Sequence, residues 1–123
     1  MHRGKDDVME YALLIYGDEK AWAARTDEER RTNGERHARF VALLAERGVE
    51  MRGGRELALA GSATTLRKKG DAVSVTDGPF AETAEVLGGF YLLAADDLDV
   101  VLELARELPE DTIEIRPIVP LPE

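Results

Sequence analysis

"VLGGFYLLA", Val86–Ala94, carries no charged side chain. A strand with one wet face alternates apolar and polar residues, and this run does not. It reads instead as a strand buried on both faces. Gly88 and Gly89 inside it mark a bulge or the close approach of another backbone. "YALLIYG", Tyr11–Gly17, repeats the pattern near the start of the chain.

Working outward, each of these strands precedes a helix. "DEKAWAARTDEERR" begins as a polar connector and enters the first helix. Thr26 and Glu29 have capping-box spacing, in which the hydroxyl accepts from the N3 amide while the N3 carboxylate reaches back. Phe40, Val41, Leu44 and Ala45 recur at helical spacing, and Gly48 stands where a left-handed cap would close the helix. The spacing predicts a helix over Asp27–Arg47, with Gly34 costing about 1 kcal/mol relative to alanine. After the second buried strand, "DDLDVVLELARELP" predicts a helix capped by Asp96 or Asp97 and ended by Pro109.

The middle of the chain is richer in β signals. "MRGG" reads as a turn, "ELALA" as a strand, and "TTLRKK" and "AVSVT" as two strands joined by Gly70–Asp71. "TIEIRPIV" is the last strand, with Pro117 pointing to a sheet edge. The expected fold class is α+β, a ferredoxin-like βαββαβ plan with an inserted β-hairpin. Residues 1–8 are expected to form a flexible leader and residues 9–123 a single domain; Met9 offers a second start.

Two helices cover only one face of a four-stranded sheet, so the other face of these strands would lie bare. A second copy of the same sheet is the simplest cover, which predicts a homodimer through the sheet face.

Composition narrows the function. With 16 basic and 25 acidic residues the net charge is −9, which argues against direct nucleic-acid binding and anionic membrane surfaces. No apolar run approaches the roughly 20 residues that span a bilayer. Cysteine is absent, excluding disulfides and thiolate chemistry. Neither signal peptide nor nucleotide loop is visible, and no metal-ligand spacing or cofactor motif appears. The expected location is cytoplasmic.

Candidate site residues gather around "VTDGPFAE". Asp77 ends a strand in a Gly78–Pro79 corner, where it either closes a turn by an Asx bond or faces a ligand. Phe80 reads as a plug in the core or in a dimer interface. Glu82 and Glu85 flank the corner and read as surface or helix-turn charges. His37 is the only histidine outside the leader and lies on or beside the apolar face of the first helix. There it is either a satisfied boundary residue or a general base, since a histidine's ordinary pKa of ~6.5 suits proton transfer near neutrality. Tyr16 and Tyr91 lie in the buried strands and need hydroxyl partners. Arg116 either reaches solvent or pairs with a carboxylate.

The run "VTDGPFAETAEVLGGFYLL", with "YALLIYGDE", "LLAERGVEMRGGREL" and "IEIRPI", resembles the YCII-related proteins. The branch is the one named for its Asp-Gly-Pro-Phe motif, here Asp77 to Phe80. The likeness covers nearly the whole chain from Met9; members usually carry lysine at the place of Ala84. It implies a dimeric α+β barrel and a cleft related to that of muconolactone isomerase-like proteins, in which a histidine–aspartate pair is the suggested catalyst. Here that pair would be His37 and Asp77, with Gly78, Pro79, Phe80, Glu82, Tyr16, Tyr91 and Arg116 available to a small organic ligand. The branch carries no established reaction. A regulatory link to sigma factors is the other role attached to it, which would make the chain a non-catalytic binding module.

Overall fold

The structure is a computed structural model describing residues 8–122; the first seven positions of the expected leader lie outside the described residues. The elements in chain order are strand β1 (Met9–Gly17), helix α1 (Glu19–Ala23), helix α2 (Asp27–Glu46), strand β2 (Glu50–Glu56), strands β3 (Thr64–Lys69) and β4 (Ala72–Asp77), strand β5 (Val86–Ala95), helix α3 (Leu98–Ala105) and strand β6 (Thr112–Pro117).

Four strands form an antiparallel sheet in the order β2-β5-β1-β6. The chain leaves β1, passes through α2 and returns two places away at β2. It then leaves β5, passes through α3 and returns two places away at β6. This is the ferredoxin-like α+β plan. β3 and β4 pair with each other as a separate two-stranded sheet. Pro117 sits on β6, an edge strand, where its missing N–H costs no ladder bond.

Local chemistry accounts for the helices. Both bonds of the capping box at α2 form: Glu29 N–H donates to Thr26 Oγ1, and Thr26 N–H to Glu29 Oε1, each at 3.0 Å. Three acidic residues fill the first turn, complementing the helix dipole. Gly48 follows the helix at φ +72°, a conformation that favours glycine. Asp97 caps α3 by accepting from Val100 N–H at 3.1 Å.

One face of the sheet meets the helices. Tyr11, Leu13 and Ile15 of β1 and Leu93 and Ala95 of β5 pack with Phe40, Leu44, Val101, Leu104 and Ala105 into the core. Residues of the other parity face away: Ala12 opposite Leu92, and Leu14 opposite Phe90, all only half-buried.

Two readings of the middle segment change, and one of the connector after β1. Met51–Gly54 is not a turn but part of β2, whereas Leu57–Leu59 lies outside any strand and leads to a 3-10 turn at Ala60–Ser62. Neither Gly53 nor Gly54 has a positive φ. Their smallness serves packing instead: a Cβ on Gly54 would meet the Tyr91 ring at 2.9 Å, and one on Gly53 would meet Leu92 at 3.3 Å. The polar connector after β1 contains a helix, α1, capped by Asp18, which accepts from Lys20 N–H at 2.8 Å.

The double glycine of β5 acts as its position suggests. The register jumps from Ile15 opposite Gly89 to Tyr16 opposite Leu87, leaving Gly88 as a bulge. The Trp22 indole of α1 packs against this bulge and against Gly17, and a Cβ at either glycine would collide with it. A Cβ on Gly89 would lie 3.1 Å from the Arg55 carbonyl oxygen, so the neighbouring backbone does approach closely.

Candidate functional site

α2, the β2 and β5 ends of the sheet, and the α1 turn enclose a cleft of about 380 Å3. Its walls include Trp22, Arg25, Asn33, His37, Tyr91 and Glu110. Asn33 and His37 are four residues apart on α2 and continue the stripe that Phe40 and Leu44 drive into the core. The hydrophobic burial of that stripe therefore fixes where His37 points.

His37 is held at both ring nitrogens. Nδ1 lies 2.7 Å from Tyr91 Oη, and Nε2 lies 2.9 and 3.0 Å from the two carboxylate oxygens of Glu110. The imidazole also stacks near the Tyr91 ring, with centroids 5.8 Å apart and planes 22° from parallel. Phe40 tilts against the other neighbourhood of Tyr91 at 4.9 Å and completes an aromatic wall. The Asn33 side-chain amide donates to Glu110 Oε2 at 3.1 Å. The side chains of His37 and Glu110 are 22% and 9% exposed, so the pair is largely removed from water while the ring still reaches the cleft.

The electrostatics follow from this environment. Burial pushes the Glu110 carboxyl up, but the hydrogen bonds from His37 and Asn33 and the histidine's charge together outweigh it, and its pKa lies below the usual carboxylate range. Glu110 is thus an anion at neutral pH. Burial, and secondarily the Glu110 charge, raise the Tyr91 phenol, which stays protonated. An ionised Glu110 fixes the tautomer of its neighbour. Nε2 must carry the hydrogen, so a neutral His37 offers the Nδ1 lone pair to the Tyr91 hydroxyl. The result is a carboxylate–imidazole–hydroxyl chain, an arrangement in which the first group orients the second and the second accepts a proton from the third.

The corner at Asp77–Phe80 stands apart from this chain. Asp77 is exposed at the end of β4, opposite Thr64, and its carboxylate makes no hydrogen bond among the described residues. The Asx bond is therefore not what shapes the corner. Gly78 does so at φ +97°, donating its N–H to Ala63 O at 2.6 Å and accepting from Thr65 Oγ1 at 2.7 Å. The Arg67 guanidinium reaches over to the Phe80 carbonyl at 2.7 Å. Phe80 is 74% exposed and so plugs nothing within its own chain. Pro79 and Glu82 are exposed as well.

Within one chain His37 meets Tyr91 and Glu110, and Asp77 lines no part of the cleft. Tyr16 donates to Glu114 Oε1 at 3.4 Å, and Arg116 pairs with Glu114 at 3.3 Å, both away from the cleft. Of the residues singled out in the sequence, His37 and Tyr91 come together. Glu110, Asn33, Trp22 and Arg25 join them without a local signal. Glu110 lies just past the end of α3 and 73 residues from His37, so only the packing of α2 against α3 makes it a site residue. Among the described residues no group of three His, Asp or Glu side chains could hold a metal ion. No helix among the described residues is long and apolar enough to cross a membrane.

The chain is 37% identical over 120 residues to an uncharacterized protein of Rhizobium meliloti, covering 89% of this chain and 92% of that one. The YCII-related domain matches residues 9–122. With the ferredoxin-like sheet, this places the chain in the YCII-related family.

Proposed function

We propose that this protein is a cytoplasmic, cofactor-free homodimer whose cleft moves a proton on a small organic molecule, with His37 at its centre. The observation that carries the reading is the bonding of His37: a carboxylate on one ring nitrogen and a phenol on the other, inside a cleft large enough for a small ligand. A ligand proton passes to the Tyr91 oxygen as the Tyr91 proton moves to His37 Nδ1, leaving an imidazolium against the Glu110 carboxylate. Return of the proton to a different ligand atom restores the chain. Glu110 stabilises the imidazolium and holds the ring, the part that the third member of such a chain plays.

The dimer half of the proposal rests on the bare sheet face. Ala12, Leu14, Phe90 and Leu92 form two apolar cross-strand rows beside the exposed Leu87, and a second sheet would bury them. Leu66, Val73 and Val75 on the β3–β4 pair and Phe80 at its end are likewise exposed. Asp77 belongs to the site only across the two-fold, where it would face a ligand held in the partner's cleft.

The test is a thermal-shift screen of small metabolites followed by proton exchange. A ligand at one hundred times its Kd raises stability by about 2.7 kcal/mol. Bound hits, incubated in D2O, are expected to exchange a C–H proton visible by NMR. His37→Gln should slow that exchange roughly a hundredfold or more. Binding with no exchange would remove the catalytic reading and leave a ligand-binding module, consistent with a histidine already satisfied at both nitrogens.

A further inference from the structure

The same cleft carries a cue to the class of its ligand, and this inference rests on the cleft being a ligand site, not on its chemistry. Arg25 is half-buried at the α1 wall. Its Nε donates to the Trp22 backbone carbonyl at 3.2 Å, which ties the guanidinium to the α1 turn. No carboxylate lies within 4 Å of it among the described residues, in a chain with 25 acidic against 16 basic residues. By contrast Arg39, Arg47, Arg52 and Arg116 each pair with a glutamate.

The other charges on the cleft do not fill the Arg25 fork. Glu110 is engaged by His37 and Asn33. Arg55 turns one nitrogen to the Gly54 carbonyl, and Glu56 is exposed at the end of β2. The same cleft has an apolar wall: the Trp22 indole, seated on the glycine backbone of β1 and β5, with Ile15 and Leu57 also on the lining. A planar cation with a free edge in one cleft with a flat apolar wall suits a carboxylate attached to a flat body, because a guanidinium pairs two N–H groups with two carboxylate oxygens.

We propose that the cleft binds a small flat organic carboxylate, with its carboxylate on the Arg25 guanidinium and its ring or unsaturated body against Trp22. Arg25 is then the residue that sets selectivity for an anion in a protein whose overall charge repels anions. The remaining polar end of the ligand is turned toward Tyr91 and His37.

Trp22 is the only tryptophan and reports on this wall directly. Its emission is followed during titration with benzoate, cinnamate and 2-furoate, and with the amide of each. The expected result is a saturable change with at least one carboxylate and at least about tenfold weaker binding of its amide. Arg25→Gln should abolish that preference while leaving the far-UV circular dichroism and melting temperature in place, since among the described residues Arg25 makes no ion pair and its charge acts on Glu29 only as the least of the influences on that carboxyl. Arg25→Lys, which keeps the charge but loses the fork, should recover only part of it. Equal binding of carboxylate and amide, or no saturable change with any of the three carboxylates, overturns the proposal. Because the readout is binding, a protein that binds carboxylates but exchanges no proton would refute the proton-transfer reading and leave this inference standing.

Discussion

The cleft and the Asp77–Phe80 corner are built on opposite terms. At the cleft, side chains from α2, β5 and the segment after α3 converge, and Asn33, His37, Tyr91 and Glu110 bond one another. At the corner, the backbone does the holding, and the side chains of Asp77 and Phe80 project unengaged. A sequence motif thus marks the region that looks outward, while the chemistry-bearing cluster is assembled from residues with no motif at all. The difference teaches that a distinctive local pattern reports what the backbone needs, here a glycine at positive φ. A proton-handling site is set by what helix packing brings together.

Several substitutions separate the two regions, beginning with the largest effect. Leu14→Glu or Leu92→Glu places a charge on the bare sheet face. Sedimentation velocity should then show a dimer falling apart to a monomer that remains folded; an unchanged dimer would move the interface elsewhere. Gly88→Ala forces a Cβ into the Trp22 indole and should cost roughly 1–3 kcal/mol, with a shift in Trp22 emission. Glu110→Ala leaves His37 Nε2 without its acceptor in a partly buried site and should cost about 1–3 kcal/mol in denaturant unfolding.

The pH dependence has a definite sign. The folded pKa of Glu110 lies below its unfolded value, ordinarily about 4.3, so the unfolded state binds the proton first as acid is added. The stability Glu110 contributes is fully present above that unfolded pKa and is lost as pH falls toward and through the lower folded one. Glu110→Gln should therefore make the acid limb of a stability–pH curve shallower. Tyr91 works the other way: its contribution is present below its unfolded pKa of about 10 and is lost as pH rises through the higher folded value.

Smaller effects close the series. Thr26→Ala should cost about 1 kcal/mol by freeing the Glu29 amide, with chemical denaturation as the measure. Asp77→Asn should leave the melting temperature of the protein essentially unchanged, because the corner is held through Gly78. A large loss there would mean that the carboxylate supports the corner after all.

The sequence was legible where one local force decides. The capping box of α2, an aspartate cap on α3 and the Gly48 end follow from short-range chemistry, and all are found; the two apolar runs are found as strands, but only their helix-facing side is buried within one chain. Legibility failed at Gly53–Gly54, where glycine signals a turn in isolation but the Tyr91 and Leu92 side chains require a small residue in a strand. It failed again at α1, five residues long and stabilised by Asp18 and by packing of Trp22 on Gly17 and on the distant Gly88. His37 was legible because helical periodicity fixes its direction. Glu110 was not, since nothing near Pro109 says which residue of α2 the turn will meet.

The most direct test of the cleft is the 15N spectrum of the His37 ring. His2 supplies the only other imidazole signal, and His37→Gln assigns the two. In the neutral ring the hydrogen is expected on Nε2, held by ionised Glu110, with a bare Nδ1 accepting from Tyr91. Tyr91→Phe should perturb the Nδ1 resonance and Glu110→Gln the Nε2 resonance. A neutral ring carrying its hydrogen on Nδ1, or two nitrogens averaged by fast ring exchange, would contradict the carboxylate–imidazole–phenol chain on which the proposed function rests.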